Sequence, residues 1–304
     1  VTPTLRLLPF ILAAAAFAQS APAAAPARKS ARSGESPYVP PAFTRPLRGA
    51  LLPWNRIVTY YGNPLSDKMG VLGEKTPDEM MAALEKEAAD WQRADPRTKV
   101  KPGLELVATV ASGEPGPSKM YRVRMTDELI NKVIGWSRSK GWITILDVQV
   151  GHSSVKDEIA RLKPFLEQPD VHLALDPEFQ LPATIAPGKR IGGTDAKDVN
   201  VAIRLLAAAV EKNNLPPKLL LVHRFTQNML TNHSDVKLDP RVQVVMVMDG
   251  YGPPALKRMV YRYAIRREPV EFAGLKLFYK NDRPRMTPAE ALKLQPGPSV
   301  VIYQ

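Results

Sequence analysis

Short apolar runs recur along this chain, and most of them end on a polar residue. Eight fall between residues 57 and 304: 57–61, 104–111, 143–150, 171–175, 219–222, 242–248, 275–279 and 300–303. Runs of this length and composition predict buried strands. Segments with helical spacing separate most of them. Thr76, Pro77, Asp78 and Glu79 make a helix start, with a capping Thr, a first-turn Pro and a Glu three residues on. Met80, Met81, Leu84 and Ala88 then recur on one face to about residue 93. Thr126 caps a predicted helix to about residue 138, with Leu129, Val133 and Trp136 as its apolar face. Ser154 with Asp157 starts another, and Val199, Ile203, Leu206 and Val210 stripe a fourth over about 196–212. Pro254 begins a basic, aromatic helix to about 267, and Thr287 to Glu290 repeat the capping signal of Thr76. Eight strands alternating with helices predict an α/β fold, a (β/α)8 barrel of the TIM type.

The ends of the chain read differently. Arg6, the apolar stretch 7–17 and the small residues at Ala16 and Ala18 predict a signal peptide over 1–18. That stretch is too short to span a bilayer, and no later segment is long and apolar enough to do so. Residues 19–49, rich in Ala and Pro, predict a disordered linker, and 50–304 the barrel domain. The expected location is secreted or periplasmic, in a bacterium. The absence of cysteine excludes disulfides, thiolate metal sites and a cysteine nucleophile. A formal charge of +12 is read first as an excess spread over solvated helix faces, and it also suits anionic envelope polymers or lipid head groups. Nucleic acid is not expected, because no Lys/Arg run is interleaved with aromatics.

Barrel enzymes keep their chemistry where the strands end. The residues there are Tyr61, Asp147 and Gln149, Asp176 and Glu178, His223 and Arg224, Asp249 and Tyr251, Lys276, Asp282 and Gln304. Strand alternation puts His172, Ala174, Asp176 and Glu178 on one face. It does the same for Ile143, Ile145, Asp147 and Gln149, and for Gln243, Val245, Val247 and Asp249. Carboxyl groups brought together shift one another's pKa, so that one holds a proton while another stays ionised, as glycosidic cleavage requires. Glu178 is the candidate acid and Asp176 its partner. Tyr61, Asp147, Gln149, His223, Arg224, Asp249, Tyr251, Lys276 and Gln304 are candidate substrate-binding residues. The competing reading is a polar mouth whose acids pair with Arg224, Lys276 or Lys280. A divalent metal held by His223, His152 and the acids is a further alternative. No H-x-H or H-E-x-x-H spacing supports it, and no metal or other cofactor is expected. Lys276 could also form a Schiff base.

The segment Leu173-Ala-Leu-Asp-Pro-Glu-Phe179 resembles the D-x-E motif on strand four of chitinase-type barrels and of one class of barrel muramidases. The resemblance implies that Glu178 protonates the leaving oxygen and that Asp176 orients the substrate's own acetamido group as nucleophile. Asp249 and Tyr251 resemble the strand-six polar pair of those families. The chain departs from the motif at Val171 and Ala174, where the chitinases carry further Asp residues. More broadly, residues 56–304 resemble a family of uncharacterised secreted bacterial proteins of the hypothetical lipoprotein type. The matching segments are 61–64, 69–74, 146–151, 173–179, 221–226, 248–252 and 301–304. That family implies export but no activity, and this chain lacks its anchor cysteine.

The expected protein is therefore an exported barrel hydrolase acting on a glycan, an N-acetylated cell-envelope polymer in the sharpest form. The alternatives are a barrel that binds an envelope polymer or a protein without turnover, and a metal-dependent phosphodiester hydrolase.

Overall fold

The computed structural model describes residues 43–304. The signal peptide expected over 1–18 and most of the expected linker lie outside these residues. The strands are β1 (Asn55–Gly62), β2 (Lys99–Ala111), β3 (Ile143–Val148), β4 (Val171–Leu175), β5 (Lys218–Arg224), β6 (Val242–Met248), β7 (Phe272–Leu277) and β8 (Val300–Tyr303). Each pairs in parallel with the next, and β8 returns to β1 with Val300 opposite Ile57. The sheet is closed, and the architecture is the (β/α)8 barrel that the alternation predicts.

Two strand boundaries differ from the apolar runs. β2 starts at Lys99, because residues 99–102 pair with Asn55–Val58 although their side chains reach solvent. β7 is shifted towards the N-terminus, because Asp282 accepts a 2.9 Å hydrogen bond from the Phe278 amide and bends the chain out of the sheet. A short strand, Arg122–Arg124, adds antiparallel to the end of β2. Its two arginines donate to Glu158 (Nε to carboxylate, 2.7 and 2.8 Å), which is fully buried on the helix behind β3.

The helices are α1 (Pro77–Ala94), α2 (Asp127–Ser139), α3 (Val155–Leu166), α4 (Ala196–Asn213), α5 (Pro254–Tyr261) and α6 (Pro288–Ala291). A single helical turn, Val71–Glu74, precedes α1. Thr76 and Thr287 each close a reciprocal capping box with the Glu three residues on. Thr126 and Ser154 cap α2 and α3. The α4 stripe lies wholly in the core. Burial of each such aliphatic side chain contributes roughly 1.5–3 kcal/mol. On α2 the buried face is Ile130, Val133 and Ile134, turned slightly from the expected one, and Leu129 and Trp136 are only partly covered. α5 gives way at Arg262 to a π-helical turn, Arg262–Arg266. Between β5 and β6 the described residues form a two-residue strand, Leu230–Thr231, paired in parallel with Thr194–Asp195, and two 3-10 turns, Gln227–Met229 and His233–Asp235. The second turn starts from Asn232 in the left-handed conformation (φ 54°), which ends any helix there.

Inside the barrel, Gly103 and Gly274 make room for their neighbours. A Cβ would stand 2.7 Å from Ile143 Cγ1 at the first and 2.8 Å from Val247 Cγ2 at the second. Gln243 plugs the floor, accepting from the amides of Leu51 and Leu52 (3.1 and 3.0 Å) and donating to the Leu52 carbonyl (2.7 Å). Phe43 and Thr44, at the end of the stretch read as linker, dock on the barrel. The Phe43 ring is 5.3 Å from that of Phe272, and Thr44 Oγ1 donates to Glu271 at 2.7 Å.

Candidate active site

The alternation that buries aliphatic residues against the helices turns polar residues inward where the strands end. Tyr61 comes from β1, Glu105 from β2, Asp147 from β3, His223 from β5 and Lys276 from β7. Asp176 and Asp249 lie one residue past β4 and β6. All seven are buried. Polar groups in such surroundings must satisfy one another.

His223 is the hub. Its Nδ1 faces Asp249 Oδ2 at 3.1 Å and its Nε2 faces Glu105 Oε1 at 2.9 Å. Burial pulls the pKa of the ring down. The hydrogen bonds to Asp249 and Glu105 outweigh it and raise the pKa well above the usual value, so both nitrogens donate. Lys276 Nζ lies 3.3 Å from Asp249 Oδ1 and 3.6 Å from the centre of the Tyr61 ring. Burial lowers its pKa, but Asp249 and the other acids raise it more, and Lys276 stays an ammonium. For Asp249 burial acts upward, and Lys276 and His223 prevail in holding the carboxyl below its ordinary range.

The remaining acids shift the other way. Burial pushes Asp147 up to about 7, against the pull of His223. Tyr61 donates to Asp147 Oδ2 at 2.9 Å. Among the described residues, Asp147 Oδ1 has no hydrogen-bond partner. Asp176 is also raised, by burial first and by Asp249 against the pull of His223. Its carboxylate is aimed by two donors, Gln149 Nε2 at 3.1 Å and the Glu178 amide at 3.2 Å. Glu178 sits on a 3-10 turn, Pro177–Phe179, at the half-buried rim. Burial, then the charges of Asp176 and Asp249, push it up to about 8. The mouth therefore combines a proton-bearing carboxyl, an ionised carboxylate and two fixed cations. Glu105, Asp147 and His223 each offer one ligand atom, all within 4.8 Å of one another, and are the group that could hold a metal. Paired with Asp249 and with its pKa raised, Lys276 favours an ion-pair role over the uncharged amine that a Schiff base needs.

Most of the residues expected from the sequence meet here: Tyr61, Asp147, Gln149, Asp176, Glu178, His223, Asp249 and Lys276. Arg224 does not. Successive strand residues face opposite ways, so with His223 inward Arg224 points out of the barrel. It donates there to the Gln227 carbonyl at 2.8 Å and to Glu268 at 2.5 Å. Tyr251 is 49% exposed on the rim, its ring 6.0 Å from that of Phe278. Gln304 is half-buried with its side chain against Gly70. His152 takes no part in the cluster. Its Nε2 bonds the Ile185 carbonyl at 2.8 Å and its ring packs on Tyr121. Asp282 is structural: it pairs with Lys257 at 2.9 Å and accepts from the Gly252 amide at 2.7 Å, pinning the loops that flank Asp249 and Lys276. Glu105 is absent from the sequence expectations because it lies inside an apolar run. A lone acid on the inward side of a buried strand is itself the signal that would have found it, since such a group requires a partner.

No protein-family model matches the chain, the lipoprotein-type resemblance included. No curated protein matches it. Among solved structures it is similar to the cellulose synthase subunit Z of Clostridioides difficile, with 9% identity and a TM-score of 0.40 over 82% of this chain and 92% of that one. It is also similar to a glycoside hydrolase family 5 enzyme of Prevotella bryantii, solved with a xyloglucan tetradecasaccharide, with 11% identity and a TM-score of 0.33 over 71% and 78%. At these values neither likeness says which residues of this chain are functional.

Proposed function

We propose that this protein is a barrel hydrolase acting on a glycan, with Glu178 as the general acid. One observation carries the reading. A rim carboxyl keeps its proton to about pH 8, beside buried carboxylates of which Asp249 is held ionised. In the proposed step Glu178 gives its proton to the glycosidic oxygen as the C–O bond breaks. Asp249 and the aimed carboxyl of Asp176 face the positive charge that develops on the sugar. A water then adds to the sugar carbon and gives its proton to the Glu178 carboxylate, which restores the acid. Tyr251, exposed at the rim, offers a ring face for a sugar to stack on. The finer proposal is an N-acetylated envelope polymer, met after export. Its support is the D-x-E segment 173–179 and the signal-like residues 1–18. N-terminal sequencing of protein from the culture medium or periplasm should begin at Gln19.

The test is a reducing-end assay of the purified protein on chitin oligomers, peptidoglycan and neutral polysaccharides, repeated with Glu178→Gln. General acid assistance is worth about 10²–10⁴-fold, and the variant should lose at least the lower figure while keeping the fold and the binding. Undiminished turnover in Glu178→Gln removes this residue from the mechanism. Glycan binding without turnover in the unmodified protein makes it a binding barrel instead.

A further inference from the structure

We propose that Glu105, Asp147 and His223 bind a divalent first-row transition-metal ion inside the barrel, beneath the rim carboxyls. The site goes beyond the glycan-hydrolase reading and does not depend on it, since neither Glu178 nor Asp176 is a ligand.

Three strands, β2, β3 and β5, deliver the three side chains to one place. Their ligand atoms all lie within 4.8 Å of one another, and each side chain is fully buried. Ligands of a tetrahedral ion at about 2.0–2.2 Å stand about 3.3–3.6 Å from one another, so closure draws the widest pair, at most 4.8 Å apart, together by up to about 1.2–1.5 Å. The independent sign of a ligand is Asp147 Oδ1. Among the described residues it is a buried carboxylate oxygen that accepts nothing, although its sister oxygen is bonded. An acceptor left empty in such surroundings is costly, and a cation would fill it.

The surroundings have the form of an outer shell. Each ligand's other polar atom is held by a neighbour, which orients the first. Asp249 Oδ2 takes the Nδ1 proton of His223 at 3.1 Å, which leaves Nε2 as the ligating nitrogen. Tyr61 donates to Asp147 Oδ2 at 2.9 Å, and Thr59 to Glu105 Oε2 at 3.4 Å. Metal-bound histidines and carboxylates are oriented in this way. Without an ion, His223 Nε2 and Glu105 Oε1 stand 2.9 Å apart with a proton between them. In the loaded site the ion takes that proton's place. One imidazole with two carboxylates suits Mn²⁺, Fe²⁺, Co²⁺ or Zn²⁺ better than Mg²⁺ or Ca²⁺, which favour oxygen ligands alone. The site joins residues from distant parts of the chain, which is why no local spacing motif announces it.

The experiment uses the full chain, stripped with a chelator and incubated at length with each of Mn²⁺, Co²⁺ and Zn²⁺ alone, and with Mg²⁺ as control. Metal content is measured after gel filtration. The expected result is one transition-metal ion per chain, a Co²⁺ visible spectrum of nitrogen–oxygen coordination, and a higher unfolding temperature on loading. Glu105→Gln and Asp147→Asn should abolish retention. Tyr61→Phe, which spares all three ligands, should weaken binding about 10- to 100-fold. Circular dichroism identifies any variant that fails to fold, and the Tyr61→Phe titration then decides. No retained ion for any of the three metals overturns the proposal. So does retention that is the same in Glu105→Gln, Asp147→Asn and Tyr61→Phe as in the unmodified chain.

Discussion

A carboxyl group that keeps its proton past neutrality must be buried, close to other negative charge, or both, and Glu178 is both. Its pKa rises from 4.5 in the open chain to about 8 in the fold. The stability this contributes is complete below about pH 4.5 and is lost as pH rises to about 8, because the unfolded chain ionises first. Denaturant midpoints at pH 5 and pH 8.5 should therefore fall more for the unmodified protein than for Glu178→Gln. An equal fall in both would mean that Glu178 ionises normally. His223 makes the opposite case. It separates two buried carboxylates, and its removal leaves Glu105 without its ion-pair partner and Asp249 with Lys276 alone. His223→Ala should cost about 3–5 kcal/mol, read from urea unfolding. A loss below about 1 kcal/mol, the scale of an exposed pair, would mean the network is wetter than its burial implies.

At the scale of elements, the glycines of the barrel interior are as specific as the charges. A methyl group at Gly274 meets Val247 and Val245 at 2.8 and 3.3 Å, both on β6 and both fully buried. Gly274→Ala should cost about 1–3 kcal/mol through overpacking, seen as a lower denaturation midpoint with unchanged slope. An unchanged midpoint would show that the interior has slack. What could be read in the sequence follows the same division. Caps were legible because Thr76, Thr126, Ser154 and Thr287 act within three residues of themselves. The inward placement of Asp147 and Asp249 followed from alternation. Alternation alone also led past its limit. The chain leaves β4 at Leu175, so Glu178 reaches the site from a turn rather than from a strand. Arg224 looked equivalent to His223 because neighbouring letters do not say which of them faces inward. Glu105 was hidden by its apolar neighbours. Its partner His223 lies three strands further round the barrel, a relation that no local window contains.

The molecule as a whole is held by one seam. Its eighth strand has four residues, and through it the two ends of the sheet meet. Every other strand pair can form between segments close in the chain, whereas Ile57 and Val300 must find each other across nearly the whole described length. Contacts of such long span slow folding, since loop-closure entropy is lost before they repay it. Until residue 303 is free of the ribosome, β1 and β7 are bare edges, rows of unpaired amides and carbonyls that can template another copy. Nascent and truncated chains thus share one hazard, which the finished barrel escapes. Deleting residues 300–304 should give larger soluble oligomers than the unmodified protein forms, or aggregate, with amide exchange fastest along β1 and β7. A truncated chain that keeps the size of the unmodified protein and unfolds in one cooperative step would show that the ring does not need its seam. If it does need it, the time between synthesis and closure is when this protein depends most on its cellular surroundings.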